Sequence, residues 1–299
     1  MKLSIVYLAI MLILGVILSI AVYCSRMQQP ITPTFTSVFQ VFGETVRVAD
    51  RLAGRLMPVD DFDEAALGQA LKGYYAKVES NLDPYVNELL QTVTTLSQKD
   101  ISYEAHVLPW SEPNAMALPG GIIFVTQGLL DELDNEGQLV AVLAHEVGHI
   151  ELSHCIDRVK YEITAKKLGI QPLGVIADLT VKLMLSHSFS KTQEHEADVY
   201  SWTWLSYSRY DPRAASGAFR ALLRWRAKHG EAVYTPNLLR DYFTSHPPLE
   251  VREHEFNNRA ARWWQGHTNE RRYVGVTNLI RHSALGAGEG FEAEWITGK

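Results

Sequence analysis

Cysteine is scarce in this 299-residue sequence, and it has no excess of positive charge. With only Cys24 and Cys155, a disulfide framework cannot be the main source of stability. No thiol-protease signature surrounds Cys155, which we expect to be an ordinary helix cysteine. The 28 Lys and Arg residues are outnumbered by 34 Asp and Glu, a net charge of -6, so we expect no nucleic-acid partner. The 46% of hydrophobic residues is ample for a buried core.

Residues 3–23 form an uncharged, mostly large apolar run. As a helix the run would extend about 31 Å at ~1.5 Å per residue, which matches a hydrocarbon core of roughly 30 Å. It therefore predicts a transmembrane anchor that contacts membrane lipid. A cleaved secretory signal is the alternative, because Ser19 and Ala21 offer small residues at a cleavage site. A lipid-modified Cys24 is the weakest option, since Tyr23 before it is bulky.

The flanking charges say little about orientation, because Lys2 lies on one side of the apolar run and Arg26 on the other. A two-residue tail stays in the cytoplasm most easily. We therefore expect a single-pass protein whose remaining chain is extracytoplasmic, on the periplasmic side of the inner membrane.

The rest of the pattern predicts a mainly α fold with a small β-sheet, the α+β class. Apolar residues recur at helical spacing over residues 43–98, and helical patterns dominate again over 129–264. Between them, residues 101–108 and 122–126 have strand character, and we expect them to form a small antiparallel sheet.

Two segments need a separate interpretation. Residues 168–185 are apolar, but Pro172, Asp178 and Lys182 interrupt them. Charges in the middle of a spanning helix cost several kcal/mol, so we expect a core or cleft-covering helix rather than a second crossing. Residues 285–299 are rich in glycine and are expected to be a loosely ordered tail.

A helix should begin at Asn135, a plausible N-cap that is followed three residues later by Gln138 in a capping-box arrangement. Two turns further on stand His145, Glu146 and His149 in the pattern HExxH. Histidines four positions apart lie on one helical face and can bind one zinc ion. Glu146 can reach a water on the metal without being a ligand, which suits a general base.

The third ligand has to come from elsewhere in the chain. The metzincin pattern HExxHxxGxxH would require glycine and histidine where Leu152 and Cys155 stand. In a continuous helix His154 would be turned roughly 140° from His149 and 180° from His145, so we expect it to face away from the metal.

An acidic cluster offers the missing carboxylate. Glu194 and Asp198 lie four positions apart in a later helical stretch, so one can bind zinc while the other orients a ligand histidine. The plainer alternative is a solvated acidic helix face.

The two motifs, HEVGH and EHEAD, together resemble the zinc endopeptidase family that contains the bacterial heat-shock protease HtpX and the eukaryotic CAAX prenyl protease. The resemblance implies that His145, His149 and Glu194 are the zinc ligands, one zinc ion per chain. It also implies that Glu146 is the general base and Asp198 the carboxylate that supports a ligand.

Two further segments widen the resemblance. Residues 114–121 precede an apolar strand, as in relatives in which this edge lines the substrate cleft; a tight turn is the plainer interpretation. His246, followed by two prolines and by Arg252, resembles a motif whose histidine approaches the metal, either masking it or steadying the transition state. A surface turn is equally compatible. His246 and Arg252 are also candidates for a second oxyanion donor.

The resemblance implies an organisation and a function. We expect an anchor or signal at residues 1–24, a linker at 25–42, a zinc metallopeptidase domain at 43–265 and a C-terminal extension at 266–299. The function implied is that of a membrane-anchored zinc endopeptidase acting on polypeptides, including misfolded envelope proteins. One crossing at most distinguishes this chain from HtpX and the prenyl protease, which places prenylated substrates in doubt.

Two other functions remain open at this stage. The chain could be a non-proteolytic chaperone or assembly factor that keeps a metal-stabilised fold. Alternatively, His246 could be the fourth ligand of a closed, structural zinc site that leaves no position for water.

Overall fold

The computed structural model describes residues 60–75, 81–167, 189–229, 246, 249–286 and 290–298. All of them belong to the unit Met57–Lys299. The predicted membrane segment 3–23, the linker 25–42 and the apolar stretch 168–185 lie outside the described residues. Among the helices within these ranges, none combines the length and the apolar character that a bilayer crossing needs.

The described residues form mainly helices, together with one four-stranded and one two-stranded sheet, which confirms the predicted α+β class. The described helices are α1 (Asp61–Tyr75), α2 (Pro84–Val93), α3 (Gln127–Glu132), α4 (Glu136–Glu151), α5 (His154–Lys167), α6 (Lys191–Tyr207), α7 (Ala214–His229), α8 (Leu249–Gly266) and α9 (Val276–Arg281). The described strands are β1 (Asn81–Leu82), β2 (Glu104–Leu108), β3 (Ala115–Leu118), β4 (Ile122–Thr126), β5 (Arg271–Tyr273) and β6 (Trp295–Thr297). Short 3-10 turns occur at Thr94–Leu96 and Glu292–Glu294.

The four-stranded sheet has the strand order β1-β2-β4-β3 and is mixed rather than antiparallel. β2 and β4 pair in parallel, with Glu104 opposite Ile122, so the prediction of an antiparallel pair was wrong. The reason is that the chain first passes to the edge as β3 and returns antiparallel to it as β4. Gly120 and Gly121 make this return possible, because both adopt φ angles near +85° that side chains disfavour.

Helix α4 lies at the centre of the fold, and all of its residues from Glu136 to Ile150 are buried. The helix begins as predicted: the side chain of Asn135 accepts a hydrogen bond from the Gln138 amide at 3.0 Å. Gln138 does not return the bond to Asn135 but accepts one from the Asp134 amide. α4 packs against β3 on one side and against α6 and α7 on others.

The C-terminal residues are more ordered than expected. β6 pairs antiparallel with β5, and Leu285 is buried, so the prediction of a loose tail was wrong for the residues described. The tail lacks a long apolar run, yet Leu285 is buried and Trp295 is partly buried. Trp295, for example, packs on Tyr273 with a ring separation of 5.1 Å.

The same region supports the first turn of α4. The amides of Glu136 and Gly137 donate to the carbonyls of Gly275 and Val274 at 2.9 and 3.1 Å. Amides in a first helical turn have no partner inside their own helix, so these bonds satisfy donors that burial would otherwise leave unpaired. The Glu136 carboxylate in turn accepts hydrogen bonds from the Tyr210 hydroxyl and the Leu285 amide.

Glu136 should make the fold more stable at mildly acidic pH. Burial raises its pKa from 4.5 to about 6, so the folded state binds the proton more tightly than the unfolded chain does. The contribution is complete below pH 4.5 and is lost as pH rises through 6. The unfolding free energy of the wild type relative to Glu136→Gln should therefore fall by about 2 kcal/mol across this window. Urea unfolding at several pH values measures it, with the exposed Glu270→Gln as control; a pH-independent difference would contradict the assignment.

Candidate metal centre

Helix α4 presents the two histidines of HEVGH to one interior position. His145 and His149 lie one turn apart with exposures of 3% and 0%, and Nε2 of one is 3.1 Å from Nε2 of the other. Buried nitrogen atoms this close need a proton or a cation between them, because two lone pairs repel. The predicted pair is thus arranged to share one ion.

Helix α6 brings the carboxylate from the other side. Ser190 and Gln193 form a complete capping box, which places Glu194 in the first turn. Gly148, inside the HEVGH motif, permits the close approach of the two helices: a Cβ atom at this position would lie 3.1 Å from Cβ of Tyr200 and 3.3 Å from Cα of Ala197. The glycine of the motif therefore has a packing role.

The donor atoms have the spacing of a zinc site. Oε2 of Glu194 lies 3.6 Å from Nε2 of His145, and Oε1 lies 3.5 Å from Nε2 of His149. In a tetrahedral site with bonds of about 2.0–2.1 Å, ligand atoms stand roughly 3.3 Å apart. Two imidazoles and a carboxylate are also ordinary zinc donors, so these residues fit the metal.

His246 joins the same group. Its ring is 1% exposed, and Nδ1 lies 2.8 Å from Oε1 of Glu194 and 3.4 Å from Nε2 of His145. One donor atom from each of His145, His149, Glu194 and His246 falls within 4.8 Å of the others. Of the two alternatives given for His246, the surface turn is not what the structure has.

The Glu146 carboxylate faces this group and is anchored on one side only. Its Oε2 accepts a hydrogen bond from the Ala117 amide of β3 at 2.9 Å. Its Oε1 is buried and accepts none from the residues that the structure describes, while Nε2 of His246 is 3.6 Å away. A buried carboxylate oxygen without a donor is costly, and such atoms are frequently found where a ligand or water binds.

Arg252 binds two buried carboxylates of α6, those of Asp198 and Glu194. Its guanidinium donates to both oxygens of Asp198, at 2.9 and 2.6 Å, and lies 3.0 Å from Oε2 of Glu194. Asp198 in turn is 3.1 Å from Nδ1 of His145, the ring nitrogen that points away from the other ligands. With its donors committed to these groups, Arg252 is poorly suited to be the oxyanion donor that the sequence suggested.

The protonation states suit a cation. Burial and the adjacent His145 hold the pKa of His149 well below its usual value, so its ring is neutral. Burial opposes ionisation of Glu194, but interactions with His246 and His145 keep the pKa of this carboxyl far below its usual range. Burial and Arg252 lower the pKa of His145, but hydrogen bonds to Asp198 and Glu194 raise it to about 9. A metal ion would displace that proton.

Three features of the site escaped the sequence analysis. His154 is outside the ligand group, as expected, but it does not face away: its Nδ1 lies 3.1 Å from Nδ1 of His149. The assumption of a continuous helix was wrong, because α4 ends at Glu151 and Ser153 adopts φ 63° with no glycine to signal the break. Phe189, which stacks on the His149 ring, had no sequence signal. Residues 114–121 were singled out from the sequence, but the hydrogen bond from the Ala117 amide to Glu146 was not predicted.

Comparison with known proteins gives consistent results. The model of the family described as peptidase family M48 matches residues 76–260. The mitochondrial metalloendopeptidase OMA1 of Schizosaccharomyces pombe is 29% identical over 158 residues, which cover 50% of this chain and 46% of that protein. The metalloprotease YcaL of Escherichia coli is 26% identical over 171 residues, 54% of this chain and 63% of that protein.

The β-barrel assembly-enhancing protease of E. coli is 27% identical over 226 residues, which cover 65% of this chain and 44% of that protein. The matched region thus spans less than two thirds of the length of each of these relatives.

Replacing Arg252 by methionine should destabilise the metal-free protein by about 3–5 kcal/mol, because two buried carboxylates lose their guanidinium. Added zinc should recover part of the loss, since it would again neutralise Glu194. Urea unfolding with and without zinc measures both effects. Arg220→Met is the matched control: this arginine is half exposed and pairs with Glu253, a contact worth about 0–1 kcal/mol. Equal effects of the two substitutions would contradict the role assigned to Arg252.

Proposed function

Because the chain belongs to peptidase family M48, we propose that it is a zinc-dependent endopeptidase that hydrolyses internal peptide bonds. The match over residues 76–260 confirms the family resemblance drawn from HEVGH and EHEAD. Peptidases of this family use zinc, and polypeptides are their substrates. Within the proposal, His145, His149 and Glu194 bind the metal, Glu146 is the general base, and Asp198 orients His145.

One observation carries the residue assignment: the donor atoms of three side chains from α4 and α6 lie 3.1–3.6 Å apart, with the Glu146 carboxylate beside them. The zinc ion supplies Lewis acidity, which lowers the pKa of a water molecule and polarises the carbonyl of the substrate. Glu146 accepts the proton of the attacking water through Oε1 and returns it to the leaving amine nitrogen. The Ala117 amide fixes the other oxygen of that carboxylate and so keeps Oε1 turned toward the site.

His246 lies within the proposed ligand group, so it would compete with water for a position on the metal. Its contact of 2.8 Å with Glu194 supports the masking role over a role in the transition state for this conformation. The same position favours a second candidate function, a closed structural zinc site with four protein ligands. Against it stands the buried Oε1 of Glu146, which a structural centre does not need.

The cellular setting is also part of the proposal. The apolar run 3–23 supports a single-pass membrane anchor, with the peptidase domain (43–265) and the extension (266–299) beyond the linker 25–42 and outside the cytoplasm. The proposed substrates are misfolded envelope proteins, and the similarity to a protease named for enhancing β-barrel assembly supports a role in protein quality control. The net charge of -6 gives no electrostatic support for a nucleic-acid partner.

Glu146→Gln should abolish cleavage while leaving zinc bound. The substitution removes the proton acceptor, which contributes about 10²–10⁴-fold to such reactions, and it leaves the three ligands in place. Zinc content by elemental analysis and cleavage of an unfolded protein by mass spectrometry measure the two properties in parallel. Glu255→Gln, on the surface of α8, is the control and should cleave normally.

Equal cleavage by wild type and Glu146→Gln would contradict the catalytic assignment. Zinc-loaded wild type that cleaves nothing would support the closed site. Binding of unfolded clients without cleavage would support the chaperone.

The full chain should stay in the membrane pellet after alkaline carbonate extraction, because about 31 Å of apolar helix resists extraction. A chain that begins at Ser25 should be extracted into the supernatant and still bind zinc. If expression of the full-length gene instead yielded a soluble protein with a new N-terminus near Ala21, the apolar run would be a cleaved signal. Digestion by an added protease of intact spheroplasts tests the orientation.

A further inference from the structure

The edge of the His149 ring opposite the proposed metal position contacts His154, which in turn contacts Glu196, and the proposed mechanism uses neither side chain. Nδ1 of His149 lies 3.1 Å from Nδ1 of His154, and Nε2 of His154 lies 3.0 Å from Oε2 of Glu196. We propose that His154 and Glu196 are positioning residues, which hold His149 in the tautomer and orientation that bind a divalent metal. This inference rests on the proposed metal site and extends it by two residues.

With His154 neutral, one placement of the protons satisfies all three groups. A carboxylate only accepts, so Nε2 of His154 donates to Glu196. Nδ1 of His154 then carries the lone pair and accepts from Nδ1–H of His149. The lone pair of His149 is left on Nε2, the atom that lies 3.1 Å from His145 and 3.5 Å from Glu194. The contacts thus select the tautomer that metal binding requires.

The break between α4 and α5 makes this contact possible. In an uninterrupted helix, residue 154 would be turned roughly 140° from residue 149. Ser153 adopts φ 63°, α5 begins at His154, and the imidazole lies beside the ring of His149, 4% exposed. A non-glycine residue in the left-handed region is uncommon and is kept where surrounding contacts require it.

The ring of His149 is held on its face as well as at its edge. Phe189 stacks on it with a centroid separation of 3.7 Å and an angle of 19° between the planes. The phenyl ring limits tilting of the imidazole, but it makes no hydrogen bond and cannot select a tautomer. That selection is left to His154.

The two ligand histidines therefore have different supports. His145 contacts the buried Asp198 carboxylate directly, at 3.1 Å. The Nδ1 side of His149 reaches a carboxylate through His154, and the side chain of that carboxylate, Glu196, is 50% exposed. α6 supplies the carboxylates in both cases, together with the proposed ligand Glu194.

Zinc affinity of the purified full chain, measured by competition with a chelator, tests the proposal. His154→Phe keeps a ring of similar size without an acceptor and should weaken zinc binding about 10–100-fold. His154→Asn places an amide oxygen where Nδ1 stood and should recover most of the affinity. Glu196→Ala should weaken binding in the same direction but less. His106→Phe removes a histidine–glutamate contact of 2.7 Å on β2, and His195→Ala changes the exposed neighbour of Glu196; both controls should bind as wild type.

A second readout separates positioning from a packing role. In metal-free wild type, the nitrogen NMR signals of His149 should indicate a proton on Nδ1. In His154→Phe the proton should move to Nε2 in part of the molecules, and in His154→Asn it should return. A ring that only fills space would leave the tautomer unchanged in all three proteins.

Unchanged zinc affinity and an unchanged His149 tautomer in His154→Phe would overturn the proposal while leaving the metal site intact. Should His154→Phe fail to fold, Glu196→Ala decides, since its half-exposed side chain contributes little to packing. Wild-type affinity in that variant would equally overturn the proposal. If wild type itself bound no zinc, the metal site would be refuted, and the positioning pair with it.

Discussion

The close packing of α6 on α4 is the contact on which the site depends. Gly148 of α4 allows the two backbones to approach closely. Elsewhere along the same contact, the Ser201 hydroxyl of α6 donates a hydrogen bond to the Ala141 carbonyl of α4 at 2.8 Å. Histidines one turn apart supply only two donors on a single helix, so a third must come from a separate element. A Cβ atom at residue 148 would crowd Tyr200 and Ala197 of α6, the helix that carries Glu194.

Buried charge is the second constraint. Glu146, Glu194 and Asp198 are each less than 7% exposed and lie within one small volume. Ionised groups in such a place need partners, because desolvation opposes them. Arg252 supplies one positive charge to Glu194 and Asp198, and a divalent cation bound by the ligands would supply two more. The site is thus balanced with an ion bound and strained without one, which ties metal binding to the stability of the fold.

The sequence predicted what depends on local spacing. The start of α4, the shared face of His145 and His149, and the position of Glu194 in a helix follow from caps and from a period of 3.6 residues. The parallel pairing of β2 with β4 and the break at Ser153 were not predicted, since they depend on how distant segments pack. Glu196 was not singled out for the same reason: its partner His154 is 42 positions away.

The amides of Glu136 and Gly137 receive their acceptors from residues 274–275, near the end of the chain. Removing the last thirty residues would therefore leave these amides in the first turn of α4 without their acceptors. This helix carries two of the proposed ligands. A minimal fragment cut at the boundary of the family match would lose this support. Loss of activity in such a fragment would then result from a destabilised α4 rather than from a missing substrate contact.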